Sequence, residues 1–291
     1  MIVMGNKFCN LDHFASQRYF IDWYNFVVPT PFYHLNVAQA LLAHPKLPDQ
    51  IKVDLTQHES AFYLGHIAPD VQVVSQQKRA ETHFYTIPID GSSLHPWDLM
   101  IQQHPDLLAA HQGAAHLMFI AGYLCHLQVD WYWTKEIYEP IFGPALSWAT
   151  RRKRAYLHNV LRSYLDQLAL KNLANDLGAA LGNAQPCDFL PFVTDRHLIA
   201  WQKYLAEQLH PGAIIQTVEV FANRQGISPQ KYYDLLGSNI KLEQKIFTRI
   251  PRIKLDIFLK KVLNANIVLL QKTFQVKNEM CGVVGGPHEN L

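Results

Sequence analysis

GAAHLMFIAGYLCHLQVDWYWTKEIY, residues 113–138, is the stretch whose reading decides the fold. Apolar side chains cover nearly every turn of it, and the first proline after it is Pro140. A helix that is apolar all round cannot lie on a surface and belongs in the centre of a bundle, with other helices on its sides. The spacing predicts a helix that ends before Pro140 and Gly143-Pro144, because proline forbids continuation.

Helical periodicity extends in both directions. Upstream, PFYHLNVAQALLAHP opens after Thr30 with Pro31 in its first turn and stops at His44-Pro45, which predicts a helix over about residues 31–43. AFYLGHIAPDVQVV begins as a short helix and breaks at Pro69; residues 80–88 read as irregular and Gly91-Ser92-Ser93 as a turn. PWDLMIQQHPDLLAAHQ is helical again from Pro96, with an interruption near Pro105. Downstream, helical stretches are expected at about 146–170, 196–208, 212–223, 229–237 and 239–275, the last broken at Pro251, with residues 276–291 as a flexible tail. No alternating strand pattern, heptad run or internal repeat is present, so the fold class is all-α, a multi-helix bundle. Because the central helix must be covered by the second half, residues 1–291 are read as one domain, with the site-bearing helices at 28–145 and covering helices at 146–275.

Composition agrees with a compact chain. Of the 291 residues 49% are hydrophobic and only 17% charged, which excludes the disordered class. No run approaches the ~18 apolar residues of a membrane span, and the opening MIVMGNKFCNLDHF has neither an apolar core nor a small-residue cleavage site, so a cytoplasmic location is expected. The four cysteines are far apart and form no C-x-x-C, which excludes a disulfide framework or zinc ribbon and leaves histidine and carboxylate to hold any metal. The net charge of +2 conceals an asymmetry. Residues 1–145 hold 7 Lys and Arg against 13 Asp and Glu, with 11 of the 15 histidines, while the rest hold 19 against 11.

Inside the central stretch, His126-Leu-Gln-Val-Asp130 places an imidazole and a carboxylate on one helix face, about 6 Å of rise apart, among apolar neighbours. Both can reach one cation, and a cation would relieve the cost of a buried carboxylate. A hydrogen bond between the two, or an arginine from the basic half, satisfies an isolated H-x-x-x-D equally well, and such pairs are common. The pair has company in His34 on an apolar helix, Asp70 directly after Pro69, and His83 in the irregular segment.

In order and spacing, TPFYHLNVAQALL, GHIAPD (Gly65 to Asp70), ETHFY and GYLCHLQVD (Gly122 to Asp130) resemble the zinc-dependent phospholipase C family, which shares its fold with the P1-type nucleases. The resemblance covers roughly residues 28–145. It implies that Asp70, His83, His126 and Asp130 ligate one zinc, that His34 and Asp130 contribute to a second, and that the chemistry is metal-assisted hydrolysis of a phosphodiester with Asp70 as ligand and general base. The substrate it implies is a small phosphodiester or phospholipid headgroup, with peripheral membrane contact; a nuclease, and a catalytically silent metal- or ligand-binding protein on the same scaffold, are the alternatives. Three departures argue against a full trinuclear site. Thr134 and Glu136 stand where the family continues D-x-x-x-P-x-H, no H-x-x-x-E follows His158, His197 or His210, and the mature N-terminal tryptophan is missing. One or two ions remain, with Glu136 as a candidate extra ligand. Zinc suits the donor set, although iron, manganese and nickel accept it too.

Other residues have a bland and a functional reading. His116, ten residues before His126, is about 15 Å away along the helix and is read as packing. His66 is either an orienting residue or a surface histidine, and Trp131, Tyr132 and Trp133 either core or pocket wall. Arg151-Arg152-Lys153-Arg154 and the basic, amphipathic residues 241–261 are solvated helix faces or anion- and membrane-facing surfaces.

Overall fold

The computed structural model describes residues 28–89, 94–109 and 111–282, with side chains to residue 275. The turn expected at Gly91-Ser92-Ser93 and the tail beyond residue 282 lie outside the described residues. The fold is all-α, and no strand occurs among the described residues. No described helix is long and apolar enough to cross a membrane.

In the first half α1 (Pro31–Leu42), α2 (Asp49–Gln57) and α3 (Glu59–Ile67) lead through a 3-10 turn (Ala68–Val71) into the short α4 (Gln72–Ser75) and α5 (Arg79–His83). Helix α6 (Pro96–Gln103) precedes α7 (Ala114–Trp133), which continues as a π-helix over Thr134–Phe142. The second half comprises α8 (Arg151–Asn172), α9 (Leu177–Gly182), α10 (Asp195–Gln208), α11 (Thr217–Gln225), α12 (Pro229–Leu236), α13 (Asn239–Leu242) with a π-turn (Glu243–Phe247), and α14 (Arg252–Gly282).

The central element is as apolar in its surroundings as in its sequence: every residue of α7 from His116 to Trp131 is buried. Two helix ends differ from expectation. The element does not stop before Pro140 but carries that proline inside the π-helix. The wider π-turn removes the clash between a proline ring and the carbonyl four residues back. Residues 80–88 are not wholly irregular, since α5 gives one helical turn ending at His83. Phe84 then takes a left-handed φ of 59°, which ends that turn. The break at Pro251 is present, and α14 runs on past residue 275 to Gly282.

Helices α3 and α7 touch backbone to backbone. A Cβ on Gly65 would overlap the Phe119 carbonyl, and one on Gly122 would overlap the Phe62 carbonyl. Two glycines facing each other's helix are what permit this approach. It lies one turn before His126 on α7 and five residues before Asp70, so it sets the separation of the two elements that carry these side chains.

Candidate metal centre

The five residues singled out from sequence meet. His34 comes from α1, Asp70 from the 3-10 turn after α3, His83 from the end of α5, and His126 and Asp130 from successive turns of α7. All five are buried, and Asp70, at 6% exposure, is the least so. Two groupings have donor atoms within 4.8 Å of one another: His34, His126 and Asp130, and Asp70, His83 and His126. These buried groups can hold a metal ion.

The hydrogen bonds decide which nitrogen of each ring faces inward. His126 Nδ1 donates to the backbone carbonyl of His66 at 2.7 Å, a bond that depends on the close α3–α7 approach. His83 Nδ1 lies 3.3 Å from the Arg79 carbonyl and 3.0 Å from the Thr82 hydroxyl. With both Nδ1 atoms directed to backbone oxygens, both Nε2 atoms face carboxylates and have no hydrogen-bond partner. His83 Nε2 lies 3.3 Å from Asp130 Oδ2 and 3.6 Å from Asp70 Oδ1, and His126 Nε2 lies 3.5 Å from Asp130 Oδ2. Ligands held about 2.0–2.1 Å from zinc at tetrahedral angles are roughly 3.3–3.4 Å apart, close to these three distances.

The electrostatics point the same way. Burial alone would raise both carboxyl pKa values, but the surrounding imidazoles outweigh it: His83 and His126 hold Asp70 below its usual range, and His126, His34 and His83 hold Asp130 well below. Burial would lower His126, yet Asp130 and Asp70 raise it above the ordinary histidine value. The centre thus favours positive charge at His126 Nε2, as a proton or as a cation that replaces it.

His34 behaves differently. Its ring stacks on His126 at 3.7 Å, and its Nε2 lies 3.1 Å from Asp130 Oδ1. Burial and the neighbouring His126 lower its pKa to about 4, so near neutrality it is an uncharged ring whose Nε2–H donates to Asp130. In that role it orients a ligand. His126 Nε2 has one lone pair and belongs to both groupings, so it can serve only one of them at a time.

A residue that the sequence reading did not single out completes the centre. Arg79, on the same α5 turn as His83, donates from Nη2 to Asp130 Oδ2 and to the Tyr85 hydroxyl, both at 2.9 Å. Tyr85 in turn lies 3.3 Å from the Thr134 hydroxyl, which donates to the Asp130 carbonyl at 2.9 Å. The arginine weighed as a partner for the His126–Asp130 pair therefore exists, but it comes from the acidic half. The R-x-x-x-H spacing of Arg79 and His83 was the available signal.

The remaining candidates separate cleanly. Glu136 is no ligand: it pairs with Lys261 of α14 at the surface. His66 is not a surface histidine but is fully buried, and it contributes its carbonyl rather than its ring. His116 bonds the Leu107 carbonyl at 3.2 Å, as a packing residue would. Trp133 is core, donating to His158 Nε2 at 3.1 Å, while Trp131 meets the Tyr85 ring edge to face. Arg154 is buried and donates to the Phe142, Ala149 and Pro144 carbonyls, so part of that basic run is structural.

A cavity of about 70 Å³ reaches the centre at Asp70, which forms part of its wall with Arg162, Arg224, Thr30 and Thr217 and the apolar Phe32, Val73, Trp201 and Phe221. Behind it, Thr30 and Thr217 both donate to the buried carboxyl of Asp166. No family model, no curated protein and no solved structure matches this chain.

Proposed function

We propose that the protein is a metal-dependent phosphoric-ester hydrolase of the phospholipase C kind, holding one divalent ion through Asp70, His83 and His126, with Asp130 beside it. The observation that carries this reading is the tautomer arrangement. Two buried histidines direct Nδ1 to backbone oxygens and turn Nε2 toward two carboxylates, an arrangement that favours a positive charge at Nε2, as a proton or as a shared metal cation. Imidazole and carboxylate without thiolate favour zinc. When bound, such an ion supplies Lewis acidity toward a phosphoryl oxygen and lowers the pKa of nearby water.

The chain's own residues account for the other requirements. Asp70, on the wall of the cavity, is ionised and accepts the proton of the attacking water. Arg162 and Arg224, on the same wall, attract the anionic group of the substrate, and the apolar wall beside them suits a phospholipid-like ester better than a polynucleotide. Arg79 and His34 hold Asp130 from its two oxygens.

The Arg79–Asp130 bond also favours a second reading, a catalytically silent protein in which the guanidinium neutralises the carboxylate and no ion is needed. Metal analysis and turnover of a chromogenic phosphodiester separate the two. The hydrolase reading expects about one equivalent of zinc, and hydrolysis that is lost on chelation, in Asp70→Asn and in His126→Ala. Less than about half an equivalent, with stability indifferent to chelator, favours the silent scaffold. Turnover unchanged by either substitution rejects the assigned residues.

A further inference from the structure

The metal centre leaves unused the two basic runs singled out in the sequence, and the fold brings them to one place. A cavity of about 500 Å³ is lined by Arg152 and Lys153 from the start of α8, Lys231 from α12, Lys241 from α13 and Lys245 from the following π-turn. Asp234 is the one carboxylate on this wall, so five cations face one anion. Tyr156, Ile227 and Leu235 form its less polar part.

Little within the protein neutralises these cations. None of the five forms an ion pair among the described residues. Arg152 directs Nη2 to the Gln225 carbonyl at 3.0 Å, and Lys241 Nζ lies 3.4 Å from the Asp234 carbonyl; both are neutral acceptors. Arg152 and Lys153 also sit in the first turn of a 22-residue helix, where the positive end of the dipole disfavours further positive charge. Basic residues on a convex surface are simply solvated. In a concavity with protein walls their fields add, and an anion is concentrated there.

We propose that this cavity binds a multiply phosphorylated ligand of headgroup size, either a free polyphosphorylated molecule or the headgroup of a phosphorylated lipid. Its volume of about 500 Å³ suits a ligand carrying a few phosphate groups rather than an extended nucleic-acid strand. None of the lining residues is shared with the metal centre, so the site stands independently of the hydrolase reading.

Calorimetric titration of the full chain with tripolyphosphate and with inositol hexakisphosphate tests it. Binding is expected to weaken steeply between about 50 and 200 mM salt, as counterion release requires. It is expected to fall about tenfold or more in Lys241→Gln/Lys245→Gln, whose side chains are exposed and not needed for folding. Lys260→Gln, on α14 outside the cavity, binds like the wild type, and excess chelator leaves binding in place. Flotation with vesicles containing a phosphatidylinositol bisphosphate, but not with phosphatidylcholine vesicles, assigns the lipid headgroup; binding without flotation assigns the free ligand. Absence of binding to both phosphate probes, an unchanged affinity in the double variant, loss of binding on chelation, or tighter binding of a single-stranded oligonucleotide than of either probe each overturns the proposal.

Discussion

Arg79 and Asp130 are bonded at 2.9 Å inside a site with almost no solvent exposure, the guanidinium 4% and the carboxylate 0% accessible. Asp130 also faces His83, His126 and His34, so its two oxygens are contested by one fixed cation and three imidazoles. The pair makes the centre tolerable without an ion and at the same time limits how many ions it can take. Removing one partner of such a buried pair typically costs about 3–5 kcal/mol, because the other charge is left uncompensated.

Arg79→Met is therefore expected to destabilise the zinc-free protein by about 3 kcal/mol in denaturant unfolding. Saturating zinc should recover much of that loss, since the ion then neutralises Asp130. An equal loss with and without zinc would show that Arg79 acts through packing alone.

Zinc binding should release protons. His126 is held above the ordinary histidine value by Asp130 and Asp70, and an ion at Nε2 must displace the proton there. Titrations in two buffers of different ionisation enthalpy are expected to give different apparent enthalpies, with an affinity that falls as pH is lowered. Identical enthalpies in the two buffers would contradict a ligand role for His126.

The glycine contact is a direct test of how the fold builds the centre. Gly122→Ala places a Cβ against the Phe62 carbonyl, and since backbone cannot swing aside, α3 and α7 must separate. Overpacking of this kind costs about 1–3 kcal/mol. The His126–His66 bond would lengthen with it, so zinc affinity should drop together with stability. An alanine variant with unaltered zinc affinity would break the link between helix approach and ligand orientation.

Asp166 predicts a pH dependence away from the metal centre. Burial raises its pKa from 3.8 to about 7, against the opposing hydrogen bonds from Thr217 and Thr30. The folded state thus keeps a proton that the unfolded state gives up above about pH 4. The contribution is fully present below pH 3.8 and is lost as pH rises toward 7, at up to about 1.4 kcal/mol per pH unit. Asp166→Asn, which stays neutral, should be less sensitive to pH in that window, so its stability relative to the wild type should improve from pH 5 to pH 8. A parallel profile for both proteins would rule out a buried, protonated Asp166.

Much of this was legible along the chain. Apolar character on every side of residues 113–138 could mean only a buried helix, and the prolines at 31, 45, 69 and 96 marked the ends of its neighbours. His126 and Asp130 were legible as a pair because a spacing of four puts them on one helix face, whereas the approach at Gly65 and Gly122 appears only in the packing of α3 on α7. The single turn of α5 was not legible: five residues have too few hydrogen bonds to be read from periodicity, and the bonds that hold it include Tyr123 donating to the Thr82 carbonyl at 2.6 Å, from an element 41 positions away. The π-continuation through Pro140 was hidden for a similar reason, since the buried Ile137, Tyr138, Ile141 and Phe142 hold a proline that local propensity rejects.

The sequence by itself determined an all-α chain, a central buried helix and the His126–Asp130 pair on one face of it, because these follow from periodicity and side-chain chemistry, both local properties; the wider set with His34, Asp70 and His83 came from a resemblance in motif order. Only the tertiary structure decided what that set can do. It turned His83 and His126 so that Nε2 faces the carboxylates, set His34 against Asp130 Oδ1, brought Arg79 onto Asp130, and gathered five cations around one cavity. Those outcomes depend on contacts between residues tens of positions apart. They are fixed by which backbones approach closely enough to accept a hydrogen bond and which charges are left facing one another, and no local pattern encodes either.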